Sequence, residues 1–149
     1  MLILDSTVLI AAMDRGRTSH LAARELLSSD ADKAVTTQTM RETLAVATRP
    51  MAANGLGMDF DNVWRSINAM RMACNCLLSE DDKWWASYTA LAQDIKPIGR
   101  TIYDLSQVAH VHSMGSPARF ITDDEGLCTR YKDHIAIMTM AAYQSNNRK

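Results

Sequence analysis

Four acidic residues stand where short apolar runs hand over to helical patterns. Asp5 follows Leu2-Ile3-Leu4, and Asp124 follows the run Arg119–Thr122. Glu42 and Asp104 fall in what the sequence pattern makes the first turns of helices. In an open parallel sheet the carboxyl ends of the strands share one edge, and ligands bind in the crevice there. Three or four carboxylates in one crevice repel one another, so they either take up protons or share a cation. Oxygen ligands without Cys or His favour a hard ion, Mg²⁺ or Mn²⁺. Such an ion lowers the pKa of a bound water and stabilises the attacking and leaving oxygens of an in-line displacement at phosphorus. Each acid also has a structural reading. Asp5 and Asp124 can cap the helices that follow them. Thr39-Met40-Arg41-Glu42 fits the S/T-x-x-E capping box, and Thr101-Ile102-Tyr103-Asp104 is a poorer version of it.

The elements that must position these acids alternate along the chain. Residues 2–4 form a short apolar run suited to a buried strand, followed by a helix over 6–13 that Gly16 stops. A second helix spans 18–28 with Thr18 or Ser19 as its cap, then a weak strand 34–36 and a helix 39–49 closed by Pro50. Residues 51–58 contain two glycines and no periodicity, which makes a loop. An amphipathic helix over 59–73 precedes a brief strand 76–78. Ser79-Glu80-Asp81-Asp82 then starts a helix running to about residue 95, its acids facing the positive end of the dipole. Pro97 and Gly99 break the chain before a helix over 101–114, which Gly115 and Pro117 end. A strand 119–122, a short helix 124–131 and a last strand 135–138 complete the pattern. Short strands separated by helices predict an α/β fold with a mostly parallel central sheet flanked by helices, in one domain over residues 1–149.

Composition narrows the possibilities. The chain has 149 residues, of which 47% are apolar and 22% charged, the make-up of one globular domain with a real core. Sixteen Lys and Arg face seventeen acids, for a net charge of −1. That balance excludes a polybasic tail as the grip on nucleic acid, but a metal lent to an acidic site reverses the local sign. Thirteen of the acids are Asp and four are Glu. Three cysteines (Cys74, Cys76 and Cys128) lack zinc-site spacing and read as reduced thiols. The opening residues lack a secretory pattern and no apolar run approaches a membrane span, so a cytoplasmic, membrane-free protein is expected.

Other residues invite chemistry less strongly. His110 and His112 are two apart on a helix and point about 200° from each other, so they do not ligate one ion from the same face. Trp64, Trp84 and Trp85 sit at helical spacing and read as core or as a partner-binding face, although base stacking is within their chemistry. Arg15, Arg17, Arg41 and Arg49 are candidates for phosphate contacts that orient a nucleic acid without reading its sequence, though such arginines more often form solvated surface.

The blocks around the four acids, in order and spacing, resemble those of PIN-domain nucleases. They are Leu2-Ile3-Leu4-Asp5-Ser6-Thr7-Val8-Leu9-Ile10, Thr39-Met40-Arg41-Glu42-Thr43-Leu44, Ile102-Tyr103-Asp104-Leu105-Ser106-Gln107-Val108-Ala109, and Phe120-Ile121-Thr122-Asp123-Asp124-Glu125-Gly126-Leu127. Size and block order are similar to the VapC toxins of bacterial toxin–antitoxin pairs. The resemblance implies a magnesium-dependent endoribonuclease held inactive by a cognate antitoxin, with a homodimer as its assembly. It assigns Asp5, Glu42 and Asp104 to the metal-binding core, with Mn²⁺ a substitute for Mg²⁺, and it selects Asp124 as the fourth acid, with Asp123 as near competitor. Thr7 stands where the family usually has Asn, and Leu127 where an aromatic is common.

Three alternatives share these residues. A PIN-like nuclease outside toxin systems would act in RNA processing. A catalytically silent PIN-like binding module would use the acids only as caps. A haloacid-dehalogenase type phosphotransferase also places Asp after a strand but requires a second Asp two residues on, and Thr7 occupies that position.

Overall fold

A computed structural model describes residues 1–147. Five parallel strands form one sheet: β1 (Leu2–Leu4), β2 (Lys33–Thr36), β3 (Cys76–Leu78), β4 (Arg119–Thr122) and β5 (Ile137–Thr139). Their spatial order is β3-β2-β1-β4-β5, so the chain winds one way from β1 to β3 and then crosses back to β4 and β5. The switch point lies at β1, the strand that delivers Asp5. Leu4 pairs with Val35 on one side and Ile121 on the other, which brings the carboxyl ends of β1, β2 and β4 to one edge.

Residues within each strand alternate between two buried faces. Ile3, Ala34 and Phe120 turn toward α5 (Asp82–Ile95), α6 (Thr101–Met114) and α7 (Glu125–Tyr131), where they meet Trp84, Leu91, Leu105, Val108 and Tyr131. Leu4, Val35 and Ile121 turn toward α1 (Ser6–Met13), α2 (His20–Ser28) and α8 (Met140–Asn147). A sheet covered on both faces is the usual setting for short parallel strands of this apolar composition. A smaller cluster joins α3 (Thr37–Thr48) to α4 (Phe60–Met72) through Ala47, Val63 and Ile67. Among the described residues no helix is long and apolar enough to cross a membrane.

The expected elements are present, with α1, α6 and β4 at the residues the pattern indicated. Three differ. The third helix begins at Thr37, two residues early, because Thr36 at the end of β2 caps it by accepting from the Thr39 amide at 2.9 Å. The last strand is shifted to Ile137–Thr139. A C-terminal helix, α8, follows it directly, begun by Thr139 accepting from the Ala142 amide at 3.2 Å and anchored by the fully buried Met140.

Candidate functional site

Asp5 leaves the end of β1 with its carboxylate buried and held by three short hydrogen bonds. The Ser6 amide donates to Oδ1 at 2.7 Å, while the Thr7 and Thr122 hydroxyls donate to Oδ2 at 2.8 and 2.7 Å. Both hydroxyls are themselves anchored to backbone, Thr7 accepting from the Asp123 amide and Thr122 from the Asp124 amide. Thr7 thus does the orienting work expected of an amide side chain at its position. A carboxylate offers about four acceptor sites, so one on Oδ1 is left for a cation.

Glu42 reaches the same edge from α3. It lies in the second turn of that helix, and the expected capping box is not formed. Because Thr36 already supplies the cap, the glutamate has no cap amide to return to. Its Oε2 accepts from the Ser6 hydroxyl at 2.9 Å and its Oε1 from Gln38 Nε2 at 2.6 Å. The Ser6 hydroxyl also lies 3.4 Å from Asp5 Oδ1, so one small group sits between the two carboxylates.

Asp104, in the first turn of α6, is half-buried and points its Oδ2 to Arg130 on α7 at 2.9 Å. The weaker capping box is likewise absent: the Thr101 hydroxyl exchanges bonds with the Ile98 backbone. Burial pushes the Asp104 carboxyl above the ordinary aspartate range. Arg130 pulls it down, and the negative charges of Asp124 and then Asp5 push it up. The three carboxylates therefore share one field.

Asp124 caps α7, accepting from the Leu127 amide at 3.1 Å with Oδ1. Asp123 turns away, its Oδ2 accepting from Ser19 ahead of α2 at 2.5 Å.

The donor chemistry of this edge, all oxygen and net negative, fits a hard divalent cation. Among the described residues, however, no three His, Cys, Asp or Glu groups come together as metal ligands. At Asp104 the carboxylate is instead paired with the Arg130 guanidinium. Arg130, Ser6, Thr122 and Gln38 are contributors that sequence reasoning missed. Thr122 carried a usable signal, a hydroxyl ending a strand directly before two acids. Arg130 carried none, since only the packing of α7 brings it 26 positions back to Asp104.

Behind the acids, a closed polar chain ties the elements together. The Thr36 hydroxyl donates to Gln107 Oε1 at 2.8 Å, Gln107 Nε2 donates to the Thr39 hydroxyl at 3.2 Å, and that hydroxyl donates to the Leu4 carbonyl at 3.1 Å. All three side chains are buried. The ends of β1 and β2 and the middle of α6 are held in fixed relation by it.

Other candidates resolve differently. His110 is buried against Trp84, and that burial lowers its pKa to about 4, partly opposed by Asp81. Trp84 is core, whereas Trp64 and Trp85 are 49% and 61% exposed. The three cysteines are free thiols.

The fold is that of known proteins. VapBC-1 of nontypeable Haemophilus influenzae is 19% identical, with 94% of this chain and 98% of that chain covered and a TM-score of 0.66. VapBC2 of Rickettsia felis, solved bound to a DNA fragment from its promoter, is 13% identical over 93% and 97% of the chains, with a TM-score of 0.68. VapC20 of Mycobacterium tuberculosis, described as a Sarcin-Ricin loop cleaving toxin, is 13% identical over 87% and 94%, with a TM-score of 0.61. Compared by sequence with curated proteins, the chain finds no match. Its sequence does match the PIN domain over residues 2–132. The chain therefore belongs to the PIN-domain family.

Proposed function

We propose that the protein is a magnesium-dependent endoribonuclease of VapC type, with Mn²⁺ as a substitute ion, neutralised by a cognate antitoxin. The observation that carries this reading is the meeting of Asp5 and Glu42 at the Ser6 hydroxyl, on the sheet edge where β4 also ends ahead of Asp124. The PIN-domain match and the likeness to VapBC complexes support it. Asp5, Glu42, Asp104 and Asp124 would hold the metal. When bound, a divalent ion supplies a water of lowered pKa and neutralises charge on the scissile phosphate. The chain's own residues do the positioning. Thr7, Thr122 and the Ser6 amide fix the direction of the Asp5 carboxylate. Arg130, beside Asp104, is a cation that would meet a phosphate oxygen once a metal ion takes up the carboxylate. The products are 5′-phosphate and 3′-hydroxyl ends, the protein acts in the cytoplasm, and it is a homodimer.

A second reading has an observation of its own. Each of the four acids already has a protein partner, as expected of a silent PIN-like binding module whose acids are structural. Cleavage of single-stranded RNA separates the two. The nuclease cuts with Mg²⁺ or Mn²⁺ and stops with EDTA or with Asp5→Asn. Equal turnover in all these conditions contradicts it, and absence of cleavage in every one favours the module.

A further inference from the structure

Next to Glu42 the surface opens into a cleft of about 580 Å³ between α3, α5 and α6, within the size range of small-ligand sites. Its walls are of two kinds. On one side an aromatic ladder rises from the core to solvent. Trp84 is buried and fixed by its indole N–H donating to the Ser106 carbonyl at 3.0 Å. Tyr88 stacks on it at 5.0 Å, and Trp85 stacks on Tyr88 at 5.7 Å. On the other side stand Arg41, Glu42 and Tyr103, itself 65% exposed, and Glu80 adds a second acid to the lining. Gln38 forms the join: its Nε2 donates to both Glu42 and the Tyr103 carbonyl. The cleft is thus mechanically continuous with the carboxylate edge.

We infer that this cleft seats an unpaired nucleobase of the RNA, adjacent to the phosphate that Glu42 and its neighbours would act on. The inference rests on the nuclease reading and adds to it a subsite for one base of the RNA. A base offers two π-faces and a linked phosphate, and the cleft supplies exposed Trp85 and Tyr103 rings together with the Arg41 cation. A base within a duplex has both faces already stacked and does not enter.

The test measures binding apart from cleavage. Anisotropy of a short fluorescein-labelled single-stranded RNA of mixed sequence is followed in EDTA, beside a blunt duplex of the same sequence. Trp85→Leu weakens single-strand binding about tenfold and Trp85→Phe restores most of it, since phenylalanine keeps a stacking face. Trp64→Leu serves as the matched control, because Trp64 is also exposed but stacks on Phe60 of α4, outside the cleft. It binds like the wild type. Duplex binding is weaker and indifferent to Trp85. Equal effects of the two leucine variants, or none from Trp85→Leu, overturn the inference and give this face to a protein partner. Trp85-dependent binding in a protein that fails to cleave with Mg²⁺ upholds the base subsite while sinking the nuclease reading.

Discussion

At the scale of single residues, the same atoms serve as structural partners and as the machinery of a site. Asp5 caps α1 with one oxygen and takes two threonine hydroxyls with the other, and this is what aims its remaining acceptor site. A cap and a metal ligand therefore present the same residue type at the same position, so spacing alone left both readings open. Glu42 was decided by a neighbour: once Thr36 closes the helix start, the glutamate is released toward Ser6 and Gln38. His110 shows the opposite outcome, a chemically suggestive residue absorbed into the core. Its pKa is about 4 in the folded chain against about 6.5 when unfolded. The folded state binds fewer protons between those values, so its contribution is intact above pH 6.5 and is lost as pH falls toward 4. The loss amounts to roughly 3 kcal/mol by pH 4. In His110→Gln this share is absent. Urea midpoints at pH 7 and pH 4.5 check it: the wild type falls further than the variant, and equal falls contradict the assignment.

At the scale of elements, strand ends and helix starts were legible because local signals agree with the tertiary outcome. The run Leu2-Ile3-Leu4 is too short for a helix, Thr101 to Met114 is bounded by breakers, and Arg119 to Thr122 is followed by a capping acid. The signal failed at α8, where a short run rich in small and polar residues is helical chiefly because Met140 fills the core beneath α2. The approach of α6 to β2 was not legible either, since it depends on Gln107 meeting Thr36 and Thr39 about seventy positions away. Replacing Gln107 with Leu removes the best acceptor of the buried Thr36 hydroxyl and one donor to Thr39, while Thr39 keeps its bond to the Leu4 carbonyl, a cost of about 1–3 kcal/mol. The variant should lose about 2 kcal/mol of stability in urea, and metal-dependent cleavage should fall more than the folded fraction does, because Asp104 rides on the same helix. A loss below about 1 kcal/mol would show that the polar chain does not hold α6.

At the scale of the whole molecule, the charge balance sets how RNA can be held. With a net charge of −1 and few cations near the site, affinity for single-stranded RNA in EDTA should depend weakly on salt. One or two phosphate contacts give a slope near −0.7 per contact, so affinity falls less than about tenfold between 50 and 200 mM salt. A fall of a hundredfold or more would bring in further cations, the exposed Arg15, Arg17 and Arg24 around one surface cleft first among them. Composition and element order made the α/β fold legible; they could not reveal that Arg130 closes over Asp104, because that pairing exists only after α7 packs. The central claim is that dispersed acids on one sheet edge share a cation, and titration calorimetry with Mn²⁺ tests it most directly. The wild type should bind the ion, while Asp5→Asn and Asp104→Asn, still folded by circular dichroism, should lose most of that affinity. Binding that is absent from the wild type, or that survives unchanged in both variants, would contradict the account.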